Sequence, residues 1–140
     1  MFLGEYEYKV DSKGRLPLPP KFRQEFGDGL ILTQGPEKCI VAYRVDEWQK
    51  LAEKAKTVPS YKVRTFNRGF FGMAFSLTID RQGRIALPSH LRRYAQIEDV
   101  ATIIGNNNYV EIWNPDLWNT ERISIEQQMW QIMESLEGQQ

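Results

Sequence analysis

The chain contains one thirteen-residue segment twice. Asp11 to Arg23, DSKGRLPLPPKFR, recurs at Asp80 to Arg92 as DRQGRIALPSHLR, with the same Asp, Gly, Arg, Leu, Pro and final Arg. Four later positions of each half also align, after one added residue: Gly35, Tyr43, Asp46 and Trp48 with Gly105, Trp113, Asp116 and Trp118. We therefore expect both halves to share one small fold, with any function on surfaces that occur twice.

The size of the repeat predicts a core shared between the halves. A unit of about 60 residues lies near the limit below which an isolated core is marginal. Hydrophobic residues make up 41% of the chain and charged residues 26%, which is typical of a soluble globular protein. We expect neither a signal peptide nor a membrane-spanning helix, because no apolar run approaches about 20 residues.

The content of cysteine and histidine predicts independence from metals. Cys39 is the only cysteine and cannot form an internal disulfide. With His90 as the only histidine, it cannot build a zinc site of the usual spacing. A reducing cytoplasm fits this composition.

The net charge is zero, but the charges are unevenly distributed. Residues 61–93 contain seven Lys and Arg against one acid, Asp80. Residues 94–140 contain eight acids against one base, Arg122. The first region is therefore a candidate anion-binding surface and the second is not.

Each half is predicted to begin with a β-hairpin and a short helix. Residues 5–10 and 74–79 alternate apolar and polar side chains, which indicates half-buried strands. Asp-x-x-Gly-Arg then predicts a tight turn whose glycine takes a positive φ. Pro19 and Pro88 end the following strand and begin short helices.

Two further strands and a helix are predicted in each half. The strands are the apolar runs at residues 30–34, 38–43, 100–104 and 109–113. Asp46 is a plausible N-cap for a helix over residues 47–56, and Asn114 for a longer helix that starts at Pro115. A basic linking helix is expected within residues 60–71, with Lys62, Arg64 and Arg68.

The long C-terminal helix is predicted to be amphipathic. A stripe of mostly apolar residues recurs at three- and four-residue spacing and leaves a polar face of Glu121, Glu126 and Gln127; its positions are Trp118, Arg122, Ile125, Met129, Ile132 and Leu136. This stripe either packs on the chain's own core or joins subunits. The added Trp130 and Met133 favour a subunit contact.

The repeated loop predicts a contact with nucleic acid through its arginine. A guanidinium presents a planar fork of donors that matches a phosphate or the O6 and N7 edge of guanine. An ion pair with the aspartate of the same loop is the alternative for Arg15 and Arg84, and the two roles can coexist. The aspartate itself either orients the arginine, accepts from cytosine or caps the turn through the backbone, of which capping is the commonest.

An enzyme is the first alternative, because two symmetry-related aspartates suggest the carboxylate pair of aspartic proteases. An arginine four residues from each aspartate would lower the carboxylate pKa, whereas a dyad that shares a proton needs apolar surroundings. His90 stands alone, so there is no Ser-His-Asp arrangement, and the sequence has no glycine-rich phosphate loop. We therefore expect no enzymatic activity, no cofactor and no small-molecule substrate.

Longer segments of the chain resemble the MraZ family of bacterial transcriptional regulators, within the SpoVT-AbrB superfamily. These segments are MFLGEYEY, DSKGRLPLP, RTFNRGFFGMA, DRQGRIALPSHLRRYA and IIGNNNYVEIW followed by PDLW. The resemblance covers essentially residues 1–137, and paired Asp-x-x-x-Arg motifs at this total length are the family's pattern. It implies that the motif residues bind DNA. Together with two basic residues added from charge alone, the predicted DNA-binding residues are Asp11, Lys13, Arg15, Asp80, Arg81 and Arg84.

The resemblance also implies an α+β fold and an assembly. Two tandem swapped-hairpin β-α-β repeats would form a pseudo-twofold, β-barrel-like core, with peripheral helices and a long C-terminal helix. We expect the repeats at residues 1–60 and 74–140, joined by a basic linking helix at 61–73. Chains would assemble into homo-oligomeric rings on double-stranded DNA repeats upstream of the division and cell-wall gene cluster, in the cytoplasm and on the nucleoid.

A ring that binds an acidic protein partner through the same basic loops is the second alternative. DNA binding that strengthens as salt falls would separate these two functions. The acidic C-terminal region is expected to point away from DNA.

Overall fold

Both halves form the same series of elements in the computed structural model, which describes residues 1–138. The first half contains β1 (Glu5–Lys9), β2 (Arg15–Pro17), α1 (Pro20–Phe26), β3 (Gly29–Gln34), β4 (Ile40–Arg44) and α2 (Val45–Lys54). Short 3-10 helices at Ala55–Thr57 and Ser60–Lys62 lead to the linking helix α3 (Val63–Phe70). The second half contains β5 (Phe75–Thr78), β6 (Arg84–Ala86), α4 (Ser89–Ala95), β7 (Val100–Asn106), β8 (Tyr109–Trp113) and α5 (Pro115–Glu137).

The two halves exchange their first strands. The six-stranded sheet has the order β1-β7-β8-β4-β3-β5, so that β1 lies beside a strand of the second half and β5 beside a strand of the first. Both pairings are antiparallel, with Glu5 opposite Ile104 and Gly29 opposite Thr78. The order is unchanged when the halves are swapped, which places a pseudo-twofold axis between β4 and β8.

The expected barrel-like core is not a closed barrel. Strands β1 and β5 form the two edges of the six-stranded sheet, and within residues 1–138 they do not pair with each other. Strands β2 and β6 form a separate two-stranded ribbon. The sheet stays open because each edge strand leads into this ribbon instead of meeting the other edge.

The main core contains side chains from both halves. Leu16 and Ile85 lie opposite each other in the ribbon, and both are fully buried. Phe22 of α1 and Leu91 of α4 pack into the same cluster. Burial of one such side chain stabilises the fold by about 1.5–3 kcal/mol. Neither half could bury this set of side chains alone, as the repeat size predicted.

The N-terminus of α2 differs from the prediction. Asp46 is not the N-cap, because α2 begins at Val45 and Arg44 holds the capping position. Strand β4 runs directly into α2 without a loop, so the helix begins two residues earlier than predicted from Asp46 as the capping residue. Asp46 lies in the first turn and accepts a hydrogen bond from Arg44 Nη2 at 2.8 Å. A carboxylate there still favours the helix through the macrodipole.

The predicted cap of α5 is confirmed. Asn114 Oδ1 accepts hydrogen bonds from the backbone N–H groups of Asp116, at 2.8 Å, and Leu117, at 3.1 Å. Pro115 follows at the first helical position, where the missing N–H needs no partner.

Only the beginning of α5 packs on the protein. Trp118 joins Cys39, Val41 and Trp113 in a second buried cluster, on the sheet face turned away from the main core. Beyond it six large apolar side chains are exposed, from 43% at Ile125 to 75% at Trp130, whereas Met133 is half-buried. The interpretation that the whole stripe packs on the chain's own core is therefore wrong. None of the helices within residues 1–138 is long and apolar enough to cross a membrane.

Candidate nucleic-acid interface

The first repeated loop, residues 11–15, is closed by its own aspartate. Asp11 Oδ1 accepts hydrogen bonds from the backbone N–H groups of Lys13 and Arg15, both at 2.9 Å. Gly14 adopts φ 78° and donates its backbone N–H to Asp11 O at 2.9 Å. A side chain other than hydrogen is disfavoured at this φ, which explains the glycine. The aspartate therefore has the capping role considered from the sequence.

The second loop, residues 80–84, repeats this geometry. Asp80 Oδ1 accepts from the backbone N–H groups of Gln82 and Arg84, both at 2.9 Å. Gly83 adopts φ 77°, within one degree of its counterpart. The two loops are thus local structures of the same kind, as their shared sequence predicted.

The ribbon points both loop arginines in one direction. Arg15 lies opposite Ala86, and Arg84 lies opposite Pro17. Successive side chains of a strand face opposite sides, so the two arginines project from one face while Leu16 and Ile85 enter the core from the other. The arginine side chains are 34% and 25% exposed. Neither guanidinium is sealed inside the protein.

Each guanidinium is also paired with the aspartate of its own loop. Arg15 Nε lies 2.6 Å from Asp11 Oδ2, and Arg84 Nε lies 3.0 Å from Asp80 Oδ2. The ion-pair alternative is therefore present in the structure. It holds each guanidinium through Nε, and the Nη groups of Arg15 donate to no acceptor within the described residues. An ion pair and an outward-facing fork of donors coexist at this site.

Lys13 and Arg81 occupy the tips of the two loops. Both side chains are exposed, and neither forms an ion pair within residues 1–138. All six residues predicted from the sequence thus lie on or beside one ribbon. The site is basic at its tips and holds a guanidinium–carboxylate pair at each loop base.

Contacts between the halves fix the two loops relative to each other. Arg84 Nη1 lies 3.7 Å from Asp11 Oδ2, across the ribbon. Two backbone hydrogen bonds also cross, from Leu18 N to Gly83 O at 3.0 Å and from Leu87 N to Gly14 O at 2.9 Å. The spacing of the loops is therefore set by the fold, as pre-organised recognition of a rigid partner requires.

Arg23 and Arg92 lie against the two loops, a contact that the sequence analysis did not predict. Nε of each donates to a backbone carbonyl five residues earlier, at 2.8 and 3.2 Å. A side chain at Gly83 would clash with the Arg23 guanidinium, and a Cβ at Gly14 would lie 2.8 Å from Arg92 Cζ. Each arginine therefore packs on the loop of the other half. The available signal was their identity at the end of both copies of the repeated segment.

The loop hydrogen bonds lower the pKa of both aspartates. The pKa of Asp11 falls to about 2, chiefly because the backbone N–H of Arg15 donates to it, with further lowering from the Arg15 side chain and the N–H of Lys13. The pKa of Asp80 is lowered by the equivalent contacts from Arg84 and Gln82. Both groups are ionised at neutral pH, unlike a dyad that shares a proton.

Asp11→Asn is expected to destabilise the fold at neutral pH but not in strong acid. In the folded protein the pKa of Asp11 lies below its ordinary value of 3.8. The ionised carboxylate therefore stabilises the fold fully when the pH is above about 3.8, and this stabilisation is lost as the pH falls towards about 2. Urea unfolding of both proteins should give a constant difference between about pH 5 and 7 that closes near pH 2. Asp28→Asn, outside the loops, controls for loss of a carboxylate. A difference that persisted at pH 2 would contradict the charge-based explanation.

One group of side chains on the outer sheet face could hold a cation. Glu37, Cys39 and Glu111 place one ligand atom each within 4.8 Å of one another. Burial, with the nearby carboxylates of Glu111 and Glu37, raises the pKa of the Cys39 thiol to about 12. Burial also raises the pKa of Glu111, whose Oε1 accepts a hydrogen bond from Trp113 Nε1 at 3.1 Å. The Cys39 thiol also donates to Glu111 Oε2 at 3.9 Å, so hydrogen bonds already link Glu111 to Cys39 and Trp113.

The chain is similar over nearly its whole length to known proteins. A family model described as "MraZ protein, putative antitoxin-like" matches residues 1–66 and 70–132. A protein of Dehalococcoides mccartyi strain 195, named "Transcriptional regulator MraZ", is 49% identical over 141 residues, which cover 99% of each chain. A protein of the same name from D. mccartyi strain BAV1 is 49% identical over 140 residues, covering 98% of this chain and 99% of its own.

Proposed function

The chain belongs to the MraZ family, and from this membership we propose that it is a sequence-specific DNA-binding transcriptional regulator. The relatives named above are transcriptional regulators, and the family is not one of enzymes. The observation that most supports DNA binding is the common direction of Arg15 and Arg84 on one face of the ribbon. DNA is a repeating anionic partner that two such groups can contact at once.

Within the proposed interface the six loop residues have different roles. Arg15 and Arg84 contact base edges or phosphates through Nη, and their aspartates hold them in place through Nε. Lys13 and Arg81, at the loop tips, contact phosphates and so set position without reading sequence. The first loop places this base one residue before its glycine, as Lys13, and the second places it two residues before, as Arg81, so the two loops meet phosphates at different positions.

A single chain would bind a single site weakly. One bidentate arginine–guanine contact contributes only about 1–3 kcal/mol of discrimination against a wrong base. We therefore propose that chains act as a homo-oligomeric ring on repeated promoter sites, those of the division and cell-wall gene cluster that the family resemblance implies. Simultaneous contacts on successive DNA repeats raise avidity by about 100- to 10,000-fold without new chemistry. The protein would then reside in the cytoplasm, on the nucleoid.

The strand exchange supports a finer description of the fold. Because β1 and β5 each complete the sheet of the opposite half, we describe the halves as swapped-hairpin SpoVT-AbrB-like repeats that form a pseudo-dimer in one chain. We place the repeats at residues 1–60 and 74–140, with the basic segment 61–73 between them.

Selection of bound fragments from random DNA, followed by affinity measurement over a range of salt, tests the proposed function. A selected repeat should bind at least about 1,000-fold more tightly than random DNA, and log affinity should fall linearly with log salt. Absence of a selected sequence would contradict sequence-specific regulation. Binding of an acidic protein by the loops, without DNA binding, would favour the scaffold instead.

A further inference from the structure

Helix α3 presents two arginines to solvent from a fixed position. Its inner side packs on α2, where the rings of Phe70 and Trp48 stack with centroids 4.3 Å apart. Phe66 stacks in turn on Phe70, at 5.1 Å. Arg64 and Arg68 lie two residues before these rings, about 200° around the helix, and one turn apart from each other. The guanidinium pair is therefore displayed on the outer side of an anchored helix.

This outer side of α3 is basic and flanked by exposed apolar residues. Within the described chain, neither Arg64 nor Arg68 nor the nearby Lys62 forms an ion pair. Residues 61–73 contain three bases and no acid. Tyr61 is 80% exposed, and Phe71 is 44% exposed. The surface combines positive charge with uncovered aromatic area, which DNA phosphates alone would not cover.

The projecting half of α5 has the opposite charge. Residues 123–138 contain three acids and no base. Trp130 is 75% exposed, and Glu126 and Glu134 stand four residues before and after it, on the same side of the helix. A ladder of carboxylate, indole and carboxylate thus runs along about two turns. The apolar stripe beside it is exposed as well, with Met129 at 44% and Ile132 at 52%.

These two surfaces match in chemistry and in spacing. An arginine guanidinium stacks on an indole face and at the same time donates to carboxylates beside it. Two guanidinium groups one turn apart on α3 can alternate with the ladder Glu126–Trp130–Glu134 on α5. Exposed apolar side chains on α5 and beside α3 would be buried in the same contact.

We propose that the projecting half of α5 docks on α3 of a second copy of this chain, with Arg64 and Arg68 against Glu126, Trp130 and Glu134. This inference rests on the proposed function, in which chains assemble into rings, and names the surfaces that join them. No hydrogen bond or ion pair connects α3 with α5 among residues 1–138. Glu126 pairs with Arg122 of its own helix at 3.2 Å, so an arginine of a neighbour would share that carboxylate, whereas Glu134 forms no ion pair within these residues. Each copy can then offer α3 to one neighbour and α5 to another, and a head-to-tail contact of this kind closes into a ring when its rotation allows.

Charge reversal on each helix tests the contact. Arg64→Glu with Arg68→Glu, and separately Glu126→Arg with Glu134→Arg, should each reduce the particle mass in light scattering to that of a single chain. An equimolar mixture of the two variants should regain the assembled mass, because each reversed surface then meets its complement. Lys50→Glu with Lys54→Glu on α2 makes the same change in charge as the α3 variant and should leave the mass unchanged.

The contact would be overturned by an α3 variant that assembles like the wild type, or by a mixture of the two variants that stays dissociated. If the α3 variant keeps its mass and also loses DNA binding, α3 belongs to the nucleic-acid interface instead. If the wild-type chain binds DNA as a monomer, this interface is wrong but the proposed function stands. If the mixture of charge-reversed variants assembles but the wild-type chain binds no DNA, the interface is supported and the proposed regulatory function is wrong.

Discussion

Replacing Arg15 and Arg84 together with alanine is expected to abolish sequence-specific DNA binding while the protein stays folded and assembled. Each contact contributes about 1–3 kcal/mol of discrimination, so loss of both should weaken binding by at least about 30-fold per chain. The fold should tolerate the change, because these ion pairs remain partly open to solvent, with 25–38% of each side chain exposed, and surface pairs contribute only about 0–1 kcal/mol each. Fluorescence anisotropy with a selected DNA repeat measures the affinity, and light scattering measures the assembly.

Two comparison variants make this result specific to the loops. Lys50→Ala with Lys54→Ala removes the same charge from α2 and should lower affinity only slightly. Arg15→Lys with Arg84→Lys keeps the charge but loses the planar fork, so it should retain nonspecific binding and lose preference for the selected repeat. If the double alanine variant bound DNA with undiminished affinity, the two loops would not be part of the DNA-binding surface.

Removing residues 124–140 is expected to break the assembly into single chains. The deletion takes away the exposed apolar and acidic half of α5 but keeps Trp118 and the cluster that it completes. Burial of two or three large apolar side chains contributes several kcal/mol, about 1.5–3 for each, so assembly should weaken by at least about 100-fold. Mass per particle in light scattering reports the change.

The same deletion should separate assembly from recognition. A single chain keeps both loops, so it should still prefer the selected repeat in a short fragment. On DNA with several repeats it should lose the avidity of the ring, about 100- to 10,000-fold. A chain shortened only by residues 139–140 serves as the control. A truncated chain of undiminished particle mass would show that the subunits join elsewhere.

The local parts of the fold and site could be predicted from sequence because short-range signals determine them. Alternation along residues 5–10 gave β1, and the Asp-x-x-Gly-Arg spacing gave a turn with positive φ at Gly14 and Gly83. The polar signal at Asn114 gave the start of α5 correctly. At Asp46 the same kind of signal failed, because β4 continues directly into α2.

The relation between the halves could not be predicted from the residues of either half. The pairing of Leu16 with Ile85 joins positions 69 residues apart, and no local pattern specifies it. For the same reason the packing of Arg23 on Gly83, and of Arg92 on Gly14, was missed although both arginines were seen to repeat. The duplication indicated that an arginine is needed at this position in each half, and only the structure showed which residues Arg23 and Arg92 contact.

The exchange of first strands has a consequence for synthesis of the chain. Strand β1 leaves the ribosome long before its neighbour β7, which begins at Val100. At about 5–20 residues per second, the nascent first half waits about 5–20 seconds with an unpaired edge. Glu5, Glu7 and Lys9 alternate along that strand, and charged side chains on an edge discourage pairing with another polypeptide. The charged side chains that face solvent in the folded protein thus discourage a partly synthesised chain from pairing with other nascent chains on the same messenger RNA.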